Sequence, residues 1–157
     1  MNITVKADVA TLQAASEIYT TALEPIKPLE GLICSLTLQP YPASLLKKGA
    51  VHGGNSLGLD PTDGSVVSVL LLTYWKNRSD DENILSTMRG ALEKIEKDAE
   101  SRGQGVPFRF MNYAFTFQDP IASYGPENKQ RLQDASRKYD PEGVFQKGVP
   151  GGFKLFA

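Results

Sequence analysis

"SVVSVLLLTYW", residues Ser65 to Trp75, decides the fold. It is apolar on both faces over much of its length, so it reads as a strand central in its sheet. The run from Val66 to Trp75 is too short to span a bilayer, which needs about 20 residues. On its N-terminal side lies "VHGGNSLGLDPTDG", a glycine-rich loop from Val51 to Gly64, longer than most connections. On its C-terminal side "SDDE" opens a helix over 80–102. The Ser79 to Glu82 spacing suits a capping box, Ile84, Leu85, Met88, Leu92, Ile95 and Ala99 share one face, and Gly103 stops it.

Further out the same two periods recur. "NITVKA" alternates as a short strand. A helix over 8–24 follows, with Asp8 as N-cap. Val9, Leu12, Ala15, Ile18, Tyr19, Ala22 and Leu23 lie on one face, and Pro25 and Pro28 end it. "GLICSLTLQPYP" is a strand bounded by Gly31 and Pro40, and "ASLLKKG" a short helix closed by Gly49. "PFRFMNYAF" reads as a fourth strand. Pro126 starts a helix over 126–139 with Leu132, Ala135 and Tyr139 inward, and Phe145, Val149, Phe153 and Phe156 form an apolar tail. Strands and helices alternate, yet no glycine-rich phosphate loop joins a strand to a helix. The expectation is one α+β domain over 1–157, a ferredoxin-like sandwich. Its mainly antiparallel sheet has four or five strands, with the three longer helices on one face and the other face open.

Composition narrows the function. The chain has 157 residues, 41% hydrophobic and 22% charged, with a net charge of -1. No basic run invites nucleic acid. Cys34 is the single cysteine, so an internal disulfide is excluded; its apolar strand makes it a packed thiol and fits a reducing compartment. "MNITVKADVA" lacks the pattern of a secretory signal, and a cytoplasmic location is expected. One histidine, one cysteine and no carboxylates at ligand spacing give a metal no support.

"FRFMNYAF", "SYGPENKQRL" and "KYDPEGVFQKGVPGGF" (Lys138 to Phe153), with "GLICSLTLQPYP" and "GGNSLGLDP" upstream, resemble the C-terminal part of the berberine-bridge-enzyme-like flavin oxidoreductases. These belong to the vanillyl-alcohol-oxidase superfamily, and the variant here is similar to those of fungal secondary metabolism. The resemblance implies a substrate domain whose FAD is bound by a separate N-terminal domain. It also implies that the segment of Asn112 and Tyr113 approaches the isoalloxazine ring of the flavin, and that Gln39 and Tyr41 lie at the end of a strand lining the substrate cavity.

The candidate site combines these with the long loop. His52, the only histidine, is followed by a glycine pair and is either a proton-transfer residue or a solvated loop histidine. Asn55 either orients a substrate oxygen or caps a turn. Asn112 or Tyr113 would polarise a carbonyl, with Gln39 and Tyr41 at the rim; Tyr124 reads as a core tyrosine. The cavity is expected between the open sheet face and the loop from Val51 to Asp60. The leading expectation is a cofactor-independent cyclase, isomerase or pericyclase acting on a small hydrophobic polyketide or terpenoid intermediate. The alternatives are half of a split FAD oxidoreductase needing a flavin-domain chain, and a non-catalytic binding protein. A homodimer packed face to face would cover the open sheet face.

Overall fold

The computed structural model describes residues 1–51 and 53–156. Strand β1 (Asn2–Lys6) leads into helix α1 (Val9–Leu23), strand β2 (Ile33–Tyr41), helix α2 (Ala43–Val51) and strand β3 (Val66–Tyr74). Helix α3 (Asp81–Ser101), strand β4 (Gly105–Val106) and helix α4 (Pro126–Tyr139) follow. The strands lie in the order β2-β3-β1-β4, each neighbouring pair antiparallel. This is the ferredoxin-like α+β sandwich. β3 is central as its sequence requires, and α2 with its following loop is an insertion between β2 and β3.

Two cores lie on opposite sides of the sheet. Alternation sends Ile3, Val5, Val67, Val69 and Leu71 to one face, where they meet Ala15 and Tyr19 of α1 and Ile84, Met88, Leu92, Ile95 and Ala99 of α3. Asp8 caps α1 as expected, its carboxylate accepting the Thr11 N–H at 2.8 Å. Val9 was read as inward but is 70% exposed; Thr11 is buried in the first turn instead.

The other face is not open along its whole length. Val66, Tyr41 and Val106 join Leu46, Leu57, Leu59, Phe108, Phe110, Met111, Tyr124 and Leu132 in a second core. Helix α4 therefore packs on this side, not beside α1 and α3. Only Leu132 of its expected inward residues joins that core, while Ala135 and Tyr139 are exposed. The uncovered part of the face is the far end of the β2–β3 ladder, where Ile33 lies opposite Tyr74 and Ser35 opposite Leu72. Ile33, Leu72 and Tyr74 are all exposed there.

Three local readings change. Beyond Val106 the expected strand 107–115 is irregular, with a 3-10 turn at Met111–Tyr113. The side-chain amide of Asn2, rather than a strand partner, satisfies the Phe110 backbone. Ser79 lies inside a 3-10 turn (Arg78–Asp80) that runs straight into α3, so no capping box forms. Helix α2 passes through Gly49 and ends before Gly53 and Gly54, whose φ values of 92° and 79° suit glycine alone.

Candidate functional site

The second core brings three phenols into one region. Tyr41 meets Phe108 edge-on with ring centroids 6.0 Å apart, and Phe108 stacks on Tyr124 at 5.8 Å. Tyr113 is held by Phe110, ring edge to face, at 4.8 Å. Burial, and then the neighbouring Tyr113 phenol, push the Tyr41 hydroxyl above its usual range. Burial also raises Tyr124, against the opposing pull of a hydrogen bond from the Met111 backbone, with Tyr41 adding to the rise. Tyr41 and Tyr124 are thus neutral hydrogen-bonding groups at physiological pH.

Gln39 lies two residues before Tyr41 on the same face of β2, opposite Ser68, and Ser68 lies opposite Thr4. A polar row of Gln39, Ser68 and Thr4 thus crosses the sheet beside the tyrosines. The Ser68 and Thr4 hydroxyls are buried without a hydrogen-bond partner. Sequence reasoning missed both, because a serine or threonine inside an apolar strand carries no signal of which groups it faces.

The remaining expected residues scatter. Asn112 is exposed next to Tyr113. Asn55 braces its own loop: its Oδ1 accepts the Leu57 N–H at 2.8 Å, and its Nδ2 donates to the Leu59 carbonyl at 3.2 Å. His52 lies outside the described residues. Leu57 and Leu59 of the long loop pack into the second core where the cavity was expected. A hollow of about 360 Å3 instead opens beside Asn55, Gly58 and Asn128, and none of Gln39, Tyr41, Asn112 or Tyr113 lines it.

A flavin dinucleotide needs a cradle for its diphosphate, and helix N-termini supply one when unblocked. Here Asp8 occupies the start of α1, Asp81 and Glu82 lie in the first turn of α3, and Glu127 lies in that of α4. At α2 the Ala43 N–H is already bonded to the Ser65 hydroxyl. The strand-to-helix turns Ala7-Asp8, Pro42 and 75–80 contain no glycine, and Gly125, the N-cap of α4, is followed by Pro126 and Glu127 in the first turn. The described residues do not fit the diphosphate of FAD. Among them no group of three His, Cys, Asp or Glu is placed to hold a metal ion, and no helix is long and apolar enough to cross a membrane.

No family model and no solved structure matches the chain. Curated relatives do. An FAD-dependent monooxygenase of Fusarium proliferatum is 38% identical over 120 residues, 76% of this chain and 23% of the relative. One of Aspergillus calidoustus is 34% identical over 153 residues, 96% of this chain and 29% of the relative. A bifunctional solanapyrone synthase of Alternaria solani is 38% identical over 130 residues, 83% of this chain and 25% of the relative. The chain spans about a quarter of the length of these fungal enzymes. It is similar to a part of enzymes that include FAD-dependent monooxygenases.

Proposed function

We propose that this chain is the substrate-side portion of a flavin-dependent enzyme of fungal secondary metabolism, related to the berberine-bridge-enzyme-like group, and that a separate flavin-binding unit completes it. The observation that carries this reading is the half-covered sheet face. Ile33, Leu72 and Tyr74 are exposed at its uncovered end, and the same face of β2 runs from there through Thr37 and Gln39 to Tyr41 at the covered end, with the Tyr113 phenol beside Tyr41. An apolar wall with a few convergent polar groups suits a small hydrophobic metabolite. Tyr113 and Asn112 would donate hydrogen bonds to its oxygens, and Gln39 and Tyr41 would hold it against the sheet. The small share of each relative that the chain spans supports the same reading.

A second reading is a cofactor-independent cyclase, isomerase or pericyclase acting on a polyketide or terpenoid intermediate. The acidic helix starts, which disfavour a dinucleotide, favour it. Preorganised hydrogen bonds alone lower such barriers.

One experiment separates the two. The purified chain is mixed with FAD alone, and with FAD plus the remainder of the Aspergillus calidoustus relative lacking its matching segment. The first reading expects flavin absorption near ~450 nm to co-elute with the chain only when the remainder is present. Failure of the chain to associate with that remainder, together with flavin-free turnover of a polyene substrate, overturns it in favour of the second.

A further inference from the structure

Among the described residues the outer edge of β2 has no strand partner, and its geometry can be read from the hydrogen bonds at the other side of the sheet. Met1 and Leu71 exchange backbone hydrogen bonds, the Leu71 N–H donating at 3.0 Å and the Met1 amino group at 3.2 Å. Leu71 therefore turns its backbone groups toward β1. By the alternation of an antiparallel ladder, Leu70, Ser68 and Val66 turn theirs toward β2, and bond Thr37, Gln39 and Tyr41. Cys34, Leu36, Leu38 and Pro40 then point their backbone groups away from the sheet. Pro40 agrees with this, since proline lacks an N–H and is accommodated where none is needed.

Sheet edges of soluble proteins are normally blunted by charge, above all by lysine. Here the sequence from Gly31 to Leu46 contains no charged residue, although 22% of the chain is charged. Ile33 and Leu38 are exposed along the edge at 65% and 42%. The nearest charges at its start, Glu30 and Lys76, are paired with each other within the chain.

We infer that β2 pairs with β2 of a second copy, antiparallel, to form a continuous eight-stranded sheet across a two-fold axis at Leu36. Cys34, Leu36 and Leu38 of the outward set pair symmetrically about that residue, and Pro40, which has no N–H to offer, lies beyond the paired segment. Leu36 of one copy falls opposite Leu36 of the other, and Cys34 opposite Leu38, so each outward N–H meets an outward carbonyl. No like charges face each other in this register, because the strand has none. The occupant is a second copy because the edge is complementary to itself. The exposed sheet face carrying Leu72 and Tyr74 is a different surface and stays free, so this pairing does not depend on the proposed flavin-unit partner.

The test is sedimentation velocity of the full chain at micromolar concentration. The wild-type chain is expected to be a dimer. Leu36→Pro removes an outward N–H without touching the ladder to β3 and is expected to give a monomer with an unchanged circular dichroism spectrum. Leu36 also packs in the core, so Leu38→Lys is the second variant: it charges the exposed edge and is expected to give a monomer as well. Leu72→Lys, on the open face, is expected to leave the dimer intact. A monomeric wild type overturns the inference. So does a dimer that survives Leu38→Lys, or one that dissociates with Leu72→Lys while surviving the edge variants, which marks face-to-face packing.

Discussion

The side chain of Asn2 brackets the backbone of Phe110. Its Nδ2 donates to the Phe110 carbonyl at 3.0 Å, and its Oδ1 accepts the Phe110 N–H at 2.9 Å. The amide of Gln118 does the same for Asn2, accepting its N–H at 3.2 Å and donating to its carbonyl at 2.7 Å. Two side-chain amides thus stand in for a strand at the edge of β1, and they fasten the segment that carries Tyr113 to the sheet. Asn2 is fully buried. Asn2→Ala strands both Phe110 groups and is expected to destabilise the chain by about 2–4 kcal/mol in urea unfolding. A variant as stable as the wild type would mean that water replaces the amide at no cost.

Gly58 touches Tyr124 where the long loop meets the turn before α4. Its φ is +72°, and a Cβ there would lie 2.6 Å from the Tyr124 carbonyl oxygen. Both the conformation and the space demand glycine. Gly58→Ala is expected to cost about 1–3 kcal/mol and to loosen the loop, read as faster proteolysis between Val51 and Gly64. Gly64→Ala shares the positive φ but has open space around it, so the difference between the two variants isolates the steric contact.

The start of α3 is fixed by a tryptophan rather than by a capping box. Trp75 Nε1 donates to Asp81 Oδ1 at 2.6 Å, while Ser79 is exposed and makes no cap. Ser79→Ala is expected to change stability by less than about 0.5 kcal/mol, as for an ordinary surface position. Asp81→Ala removes a charge-assisted hydrogen bond, with an expected loss of about 1–3 kcal/mol. Trp75 is the only tryptophan, so its fluorescence reports the change directly. An unchanged emission spectrum in Asp81→Ala would refute the role given to this pair.

What the sequence made legible was what repeats locally. Strand β3, helices α1 and α3 and the Asp8 cap follow from period and chemistry within a few residues, and with them the α+β class. The segment 107–115 was misread because its apolar alternation matches a strand, whereas side chains satisfy its backbone: Ser123 at Arg109, Gln118 at Phe115 and, at Phe110, Asn2, more than a hundred positions away. Tyr139 was misread because helical spacing gives a stripe but not its cover: of the expected inward residues of α4 only Leu132 joins the second core, and Tyr139 is 78% exposed. Tyr41, Tyr113 and Gln39 entered the candidate site through the resemblance. The Ser68–Thr4 pair depends on strand register, which no stretch of the chain announces by itself.

The phenols provide a test of the site that needs no substrate. Tyr41 and Tyr124 are raised above the ordinary tyrosine value of 10.0, in both cases chiefly by burial. Ionising them inside the fold costs more than ionising them in the unfolded chain. Their contribution to stability is therefore complete below that ordinary value and is lost as the pH rises through the raised folded values. An absorbance titration of the native protein is expected to show Tyr41 and Tyr124 ionising above the ordinary value, as the chain unfolds. Tyr41→Phe should remove one late proton and, since Tyr41 adds to the rise at Tyr124, bring that second ionisation to lower pH. If Tyr41 and Tyr124 titrate at the ordinary value of 10.0 in a protein that is still folded, water reaches this cluster freely. The wall proposed to hold a hydrophobic substrate would then be wet, and the assignment of Tyr41 to it would fail.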